Sequence, residues 1–470
     1  MIGLRKNLLT RGSKKKTVIF DRFAVSHTTS SGAAAVGTVG GRKDTSVKGA
    51  TLCAKTLKNC DATGNVLRQG VGAAFFLSRS GRTLTGIPSD MTKRVLRVNL
   101  KRTNSSSVFE RFLVVFNDGY VRLYDENSRT FSAEFLLGAN TNGAVLRAEG
   151  GEERYLLSGA SASKILKEDG AFYESGLANV SHALCVCKNR LFMAQLGGIV
   201  KYSDPLTPWD FSGSIHDGGY IQMPVAYGEP IEMAAVGDWV YVFYQRAIMR
   251  LTVRGSGKDF RVEEVVYKGA KIFSGTICST SDGVIFLSTD GLWKLKGLQT
   301  ERFCKEISLH AYAQGNVFNA VAYQGKYFLR YQHEGGYFRS VAVDLAEETW
   351  YECFDLAGLN GDANSPIFVR GELVYRLGEG SLPSGETSLF ESVDLDFGID
   401  GKKTLRKVTI AGEGSVTLKT YCDGVCVERN VVMTDGKGCV DLDLRGESFS
   451  FGIELSARSA VRSLRAEIVS

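Results

Sequence analysis

Short apolar runs recur along most of the chain, and they are rich in β-branched and aromatic side chains. Glycine, aspartate and asparagine bound these runs, while the spacing typical of amphipathic helices is scarce. Runs of about four to eight such residues between turn-forming residues predict β-strands. Examples are VFERFLVVF, YVRLYD, WVYVFY, AIMRLTV, GVIFLS, KYFLRY, FRSVAVDL and ELVYRL. The sequence therefore predicts an all-β protein.

The strand pattern repeats at a nearly constant interval. Tight turns separate apolar stretches at Asn189, Asp238, Asp282, Gly325 and Gly371, with gaps of 49, 44, 43 and 46 residues. A period of about 40 to 50 residues with several strands per unit is typical of β-propeller blades, which bury their faces only against neighbouring blades. We predict about seven blades between residues 71 and 390, with six and eight as the alternatives, and with the five turns in equivalent positions.

The two ends of the chain differ from this repeating part. Residues 1–70 combine a basic tip with a stretch rich in Gly, Ser, Thr and Ala, which predicts an extended arm that is not ordered by itself. We expect residues 17–58 to be ordered mainly against other protein chains. Residues 391–470 contain short strands in antiparallel order, and Leu464, Ala466 and Ile468 alternate with other residues as in a half-buried strand. We predict a compact β-sandwich there.

The segment KYSDPLTPWDFSG, residues 201–213, contains two of the seven prolines and one of the four tryptophans. It is either a binding loop that presents Trp209 or a stiff connection in which Trp209 packs between blades. Two prolines rigidify a turn between strands at low entropic cost, and this favours the connection.

Positive charge is concentrated at the N-terminus. The first 16 residues contain six basic residues and no acid, which leaves 51 basic against 51 acidic residues in the rest of the chain. A basic tip is either solvated and mobile, attracted to nucleic acid, or docked on an acidic neighbouring subunit. The tip consists of Arg5, Lys6, Arg11, Lys14, Lys15 and Lys16.

Recognisable catalytic patterns do not occur in the sequence. There is no nucleophile elbow, P-loop or zinc-protease motif, and the five histidines are too far apart in sequence to suggest a metal pair. The run STDGLW at 288–293 resembles the aspartate-box hairpin of sialidase propellers, but that box is itself a folding element. We therefore expect no enzyme, no catalytic residue and no cofactor. The histidines are His27, His182, His216, His310 and His333.

The ten cysteines are too sparse for a disulfide scaffold. Cys185 and Cys187 share a face if they lie on a strand, and Cys422 and Cys426 bracket a turn, across which they would face each other. Neither pair has the four ligands of a structural zinc site, so we expect no bound metal. No window approaches the roughly 18 apolar residues that a membrane-spanning segment needs.

Three passages carry a resemblance to known proteins. Arg190-Leu191-Phe192 followed by Ser203-Asp204-Pro205 and Trp209 resembles a passage in β-propeller proteins of phage tails. Residues 59–72, NCDATGNVLRQGVG, are similar to the passage that leads into the first blade of such proteins. The run SVDLDFGIDGKKTLRKVTIAGEGSVTLKTYCDG resembles their entry into the last β-domain. The relatives are the tail nozzle, hub and packaged-DNA stabilisation proteins of short-tailed phages.

This resemblance implies a virion structural protein, made in the host cytoplasm and located in the tail or connector. Its partners would be copies of itself in a ring of six, the portal or adaptor, other tail proteins and packaged DNA. The region before residue 59 matches poorly, which leaves the upstream partner open. The alternative is a β-propeller that binds or cleaves glycans, which would show exposed aromatic residues and carboxylates at one propeller mouth.

Overall fold

The computed structural model describes residues 15–25, 45–103, 106–138, 141–159, 161–175, 183–195, 197–213, 217–303, 318–332, 337–360, 366–378, 380–397 and 399–469. The chain divides into two units. One comprises Met1–Gly72, Thr349–Phe354 and Gly380–Ser470, and we call it the terminal unit. The other comprises Ala73–Glu348 and Asp355–Glu379, and we call it the propeller unit.

The propeller unit contains seven small antiparallel sheets, or blades, numbered here along the chain. Six of them have four strands each, and the sixth blade has three strands within this unit. This confirms the predicted all-β propeller. The strands are Thr92–Lys101, Val108–Phe116, Tyr120–Asp125 and Thr130–Leu136 in blade 1; Asn142–Arg147, Glu153–Ser158, Ser163–Leu166 and Phe172–Glu174 in blade 2; Leu184–Cys187, Arg190–Gln195, Ile199–Tyr202 and Gly219–Gln222 in blade 3; Glu232–Val236, Trp239–Phe243, Ile248–Thr252 and Arg261–Glu264 in blade 4; Cys278–Thr280, Gly283–Ser288, Gly291–Lys296 and Gln299–Phe303 in blade 5; Phe318–Tyr323, Lys326–Gln332 and Phe338–Asp344 in blade 6; and Ala357–Asn360, Ile367–Arg370, Leu373–Gly378 and Gly72–Phe75 in blade 7.

The last blade is closed by a strand from the other end of the propeller sequence. Gly72–Phe75 precedes blade 1 in the chain but adds to the outer edge of blade 7, beside Leu373–Gly378. The ring of Phe75 stacks on Tyr375 at 5.1 Å between centroids, and Tyr375 stacks on Phe368 at 5.5 Å. This pairing joins the start of the propeller sequence to its last blade.

Neighbouring blades are held together by apolar side chains that no single blade could bury alone. Five hydrophobic clusters each combine residues of two consecutive blades, for example Phe112 and Phe116 of blade 1 with Val369 of blade 7. The first strands of the blades lie next to one another around the centre of the ring. The stability of the fold therefore depends on contacts between sheets.

Four of the five predicted turns are equivalent. The two-residue turns at Asn189, Asp238, Asp282 and Gly325 each join the first and second strands of a blade. Lys188 and Asn189 both have positive φ, as a tight hairpin turn of this kind requires. The turn at Gly371 instead joins the second and third strands of blade 7, so its predicted equivalence was wrong. The spacing of the turns in the sequence does not distinguish the first hairpin of a blade from the second, because each blade contains several hairpins of similar length.

The terminal unit is a mixed β-structure built from both ends of the chain. Its strands pair in the order Val425–Val432, Ser415–Cys422, Phe449–Leu455, Ser388–Ser392, Thr45–Lys58, Lys15–Val25, Ala460–Val469, Lys403–Glu413 and Lys437–Gly446. Three short strands complete the unit: Cys60–Asp61, Leu67–Gln69 and Trp350–Cys353. Its core includes Phe20, Leu52, Phe390, Phe451 and Leu464, all of them buried.

The segment predicted as a separate arm is part of this unit. Lys15–Val25 runs antiparallel to Ala460–Val469 and parallel to Thr45–Lys58, and the latter pairs with Ser388–Ser392. Val18 and Phe20 are fully buried. The expectation that this segment is ordered only against another chain was therefore wrong for Lys15–Val25 and Thr45–Lys58, whereas residues 26–44 lie outside the described residues.

Within the described ranges, helix is limited to three single 3₁₀ turns, at Thr63–Asn65, Val225–Tyr227 and Gly257–Asp259. None of the described helices has the length and apolar character needed to cross a membrane.

Candidate functional site

A cavity of about 460 Å³ lies at the centre of the propeller unit. Its wall comes mainly from the first strands of blades 1, 2, 5, 6 and 7, with Glu232 from blade 4 and Tyr155 from the second strand of blade 2. Two wall residues, Val145 and Ser279, are exposed, so the cavity is open to solvent on that side. A volume of this size falls within the usual range for small-molecule pockets.

Polar groups of several blades converge on this cavity because they occupy equivalent positions. Arg94, Asn142, Glu232 and Asn319 each lie at or near the beginning of the first strand of a blade, and the first strands surround the centre. Residues separated by up to 225 positions in sequence therefore lie at one end of the central channel. Asn319, next to the cavity wall, donates a hydrogen bond from Nδ2 to the carbonyl of Lys93, and its buried Oδ1 has no partner in the described part of the chain.

Arg94 is a half-buried cation in the wall of the cavity. Its Nη1 donates to Oδ1 of Asn142 at 2.6 Å and more weakly to the carbonyl of Thr141 at 3.4 Å. Its Nε and Nη2 groups donate no hydrogen bond to any described residue. These two groups form the side of a guanidinium that engages a carboxylate with two parallel hydrogen bonds.

Glu232 is a buried carboxyl in the same cavity. Burial raises its pKa from 4.5 to about 7, and this effect is opposed by a hydrogen bond from the Gly275 amide and by the charges of Arg94 and Lys93. The Gly275 amide lies 2.7 Å from Oε2 of Glu232. Near neutral pH, the carboxyl can therefore either donate a hydrogen bond when protonated or accept hydrogen bonds when ionised.

The other titratable groups around Glu232 are also shifted by burial. The pKa of Lys93 falls to about 8 because the ammonium is desolvated and lies near Arg94. Burial raises the pKa of Cys278 and Tyr327, and both also interact electrostatically with Glu232. In the described part of the chain, Glu232 thus faces Arg94, Lys93, Cys278 and Tyr327. Of these residues, Arg94 and Cys278 belong to the cavity wall, as Glu232 itself does.

The residues of the passage that resembles phage-tail propellers lie elsewhere, mainly within blade 3. The Ser203 hydroxyl accepts a hydrogen bond from the Leu191 amide at 2.8 Å, and the Arg190 guanidinium donates to the Ser203 carbonyl at 2.9 Å. Arg190 also forms an ion pair with Asp217. Phe192 is fully buried in the cluster between blades 3 and 4. These residues act as structural ties.

Asp204 organises the loop itself. Its Oδ1 accepts hydrogen bonds from the amides of Leu206 and Thr207 at 2.8 and 2.9 Å, and its Oδ2 accepts one from the amide of Asp217 at 3.0 Å. The Pro205 carbonyl accepts a hydrogen bond from the side chain of Asn189. The loop is therefore fixed to the first hairpin of blade 3.

Trp209 packs between blades, as the structural interpretation predicts. It contacts a cluster that includes Leu156 and Ile165 of blade 2 and Leu191 of blade 3. The guanidinium carbon of Arg154 lies 3.8 Å from the centre of its ring, which is a cation–π geometry. Trp209 therefore has a packing role in the fold.

Most of the basic tip lies outside the described residues, namely Arg5, Lys6, Arg11 and Lys14. Lys15 and Lys16 begin the strand Lys15–Val25. The ammonium of Lys16 donates a hydrogen bond to the carbonyl of Phe397, so this charge is held against its own terminal unit.

The remaining candidates from the sequence either have structural roles or lie outside the described residues. Asp290 in the run STDGLW accepts hydrogen bonds from the Ser288 hydroxyl and the Trp293 indole, which makes it a hairpin tie. Cys422 lies opposite Val425 and Cys426 lies opposite Tyr421, so the two cysteines do not face each other. No group of three or more potential metal ligands was found in the described ranges, and all five histidines lie outside them.

Comparison with known proteins yields similarity of structure only. No protein-family model matches the chain, and no curated protein matches it in sequence. Among solved structures it is similar to virginiamycin B lyase from Staphylococcus aureus, with 10% identity, a TM-score of 0.41, and 61% of this chain and 99% of that chain covered. It is also similar to the WD40 repeats of RRP9, with 9% identity, a TM-score of 0.39, and coverage of 65% and 99%. The Pan2 WD40 domain of Neurospora crassa has 7% identity, a TM-score of 0.40, and coverage of 66% and 95%.

The sequence analysis did not predict the cavity at the centre of the propeller unit, which we call the axial cavity. Its polar residues are single positions in separate blades, and none belongs to a local motif. The repeat itself contains a signal for this site. If the blades are aligned by their first strands, polar or charged residues lie near the strand starts of four blades, where the other blades have apolar residues. These residues are Arg94, Asn142, Glu232 and Asn319.

Proposed function

We propose that this chain is a structural subunit of a phage virion, a nozzle, hub or connector component that forms a ring around the DNA exit channel. The observation that carries the proposal is the phage-tail passage in blade 3. Its residues form one connected network in which Arg190, Leu191 and Ser203 are joined by hydrogen bonds, Asp204 fixes the loop and Trp209 packs the blade junction. The resemblance thus involves the residues that determine the local architecture.

A second observation supports association with further copies of the chain. In the described residues, the strand Val425–Val432 pairs on one side only, with Ser415–Cys422, and six of its eight residues are exposed. Val425 and Val432 are each 68% exposed. An edge strand with exposed apolar residues is a surface to which another chain can add a strand.

The test is the assembly state of the purified full-length protein. We expect rings in electron micrographs and a mass several times that of one chain in light scattering. Replacing Val425 and Val432 by lysine should shift the mass toward the monomer, since charges on an edge strand oppose strand addition. The control is Leu206→Lys, which places the same charge at an exposed apolar position of the propeller unit. A monomer at all concentrations would contradict the proposal.

A second candidate function is favoured by the axial cavity, namely recognition of a glycan by the propeller. Arg94, Asn142 and Glu232 provide hydrogen-bonding groups of the kind that bind hydroxyl and carboxylate groups. A virion component with such a cavity would combine a structural role with contact to a cell-surface sugar.

A further inference from the structure

We propose that the axial cavity binds a small sugar acid, that is, a sugar-sized ligand carrying one carboxylate and several hydroxyl groups. The inference rests on the second candidate function and names its ligand class. It does not depend on ring formation.

The carboxylate is assigned to Arg94. Because Nη1 is already engaged by Asn142 at 2.6 Å, the guanidinium is fixed in position, while Nε and Nη2 have no partner in the described residues. A guanidinium held by one hydrogen bond is preorganised to bind a carboxylate through its remaining two donors. Arg97, the other arginine of the wall, is already engaged, since its Nε lies 2.7 Å from Oε1 of Glu110.

The hydroxyl groups are assigned to the rest of the wall. Ser279 and Asn360 provide further donors and acceptors, and Glu232 lies on a different blade from Arg94 in the same cavity. A protonated Glu232 donates a hydrogen bond to a ligand oxygen without repelling the carboxylate. A polar wall of this kind compensates the desolvation of a hydroxyl-rich ligand better than that of an apolar one.

A monoanion fits the cavity better than a dianion such as phosphate. The wall contains Arg94, with two donors that have no partner in the described residues, and Arg97, which is paired with Glu110. Glu232 adds a negative charge to this wall as the pH rises through about 7. A doubly charged ligand would face this repulsion with a single guanidinium to offset it. Inorganic phosphate therefore serves as a discriminating probe.

The experiment is calorimetric titration of the full-length protein with D-glucuronate, D-glucose and inorganic phosphate. We expect glucuronate to bind with a Kd of about 1 mM or tighter, and glucose and phosphate at least tenfold more weakly. Binding at pH 8 should be about tenfold weaker than at pH 6, because the protonated fraction of a carboxyl with a pKa of about 7 falls tenfold between these values. Equal binding of glucuronate and glucose, or no binding of glucuronate, would overturn the inference.

Variants locate the site. Arg94→Met should abolish glucuronate binding, and Arg94→Lys, which keeps the charge but loses the paired donors, should weaken it at least tenfold. Arg302→Met, at an exposed arginine on the outer strand of blade 5, is the control and should bind as the unmodified protein does. If Arg94→Met does not fold, the Arg94→Lys variant and the pH dependence decide the question. Rings in micrographs without glucuronate binding would reject this inference and leave the virion role standing.

Discussion

Replacing Glu232 by glutamine should stabilise the propeller unit, and the gain should grow with pH. The carboxyl has a pKa of about 7 in the folded protein against 4.5 for the ordinary group. Because the pKa of this carboxyl is higher in the folded protein, the group ionises in the unfolded chain at lower pH than in the folded protein. Its favourable contribution to the free energy of unfolding is therefore fully present below pH 4.5. It is lost as the pH rises through 7. The attraction of Arg94 and Lys93 is already included in this pKa.

The size of the effect follows from the two pKa values. Between pH 5 and pH 8, ionisation of Glu232 lowers the free energy of unfolding by roughly 2–3 kcal/mol. Glutamine does not ionise, and its side-chain carbonyl can still accept the hydrogen bond from the Gly275 amide. The stability of the variant relative to the unmodified protein should therefore rise by roughly 2–3 kcal/mol on going from pH 5 to pH 8.

Urea unfolding followed by tryptophan fluorescence measures this difference, since Trp209, Trp239 and Trp293 all lie in the propeller unit. Glu301→Gln is the matched control, because Glu301 is an exposed carboxylate on the outer strand of blade 5. We expect the same difference between this control and the unmodified protein at both pH values. A Glu232→Gln variant that is destabilised at pH 8, or shifted equally at both pH values, would refute the argument that burial dominates at this position.

Three further predictions concern the fold. Trp209→Ala should lower the free energy of unfolding by roughly 2–3 kcal/mol in urea, less than for a fully buried tryptophan because the ring is half-buried; an unchanged urea midpoint would contradict its packing role. Asp204→Ala should cost roughly 2–3 kcal/mol because three amides lose their acceptor, and Asp204→Asn should cost less because Oδ1 remains; equal costs would refute the assignment. Deletion of residues 1–25 removes a central strand of the terminal unit, so residues 403–469 should become sensitive to proteases while the propeller unit resists. Mass spectrometry of the proteolytic fragments measures this, and protection of both units would contradict the prediction.

The repeating part of the fold was predictable because the period comes from local physics. Each blade needs apolar strands and tight turns in a fixed order, and the two-residue turns at Asn189, Asp238, Asp282 and Gly325 mark that order. The packing of Trp209 was predictable for the same reason, since prolines and a tryptophan between two strands favour a rigid, buried connection.

The closing strand and the terminal unit were not predictable in this way, because both depend on pairing between distant segments. Gly72–Phe75 has four residues and no alternating pattern, so nothing local assigns it to blade 7. Lys15–Val25 does contain a strand-like run, TVIFDRFAV, with buried Val18, Phe20 and Phe23. This strand was not predicted because the run was treated as part of the glycine-rich stretch that follows it.

The position of these two segments explains why the termini cannot be treated as appendages. The chain first supplies Lys15–Val25 and Thr45–Lys58 to the terminal unit, then Gly72–Phe75 to blade 7. It contributes Trp350–Cys353 to the terminal unit between blades 6 and 7, and the rest of that unit follows blade 7. A strand between two others satisfies backbone hydrogen bonds on both of its sides, so Ala460–Val469 and Thr45–Lys58 would each lose a partner without Lys15–Val25. The predicted sandwich of residues 391–470 therefore lacks two strands near the middle of its own sheet. Folding of the terminal unit must wait for the C-terminal strands, whereas the described strands of the seven blades all lie between Gly72 and Gly378.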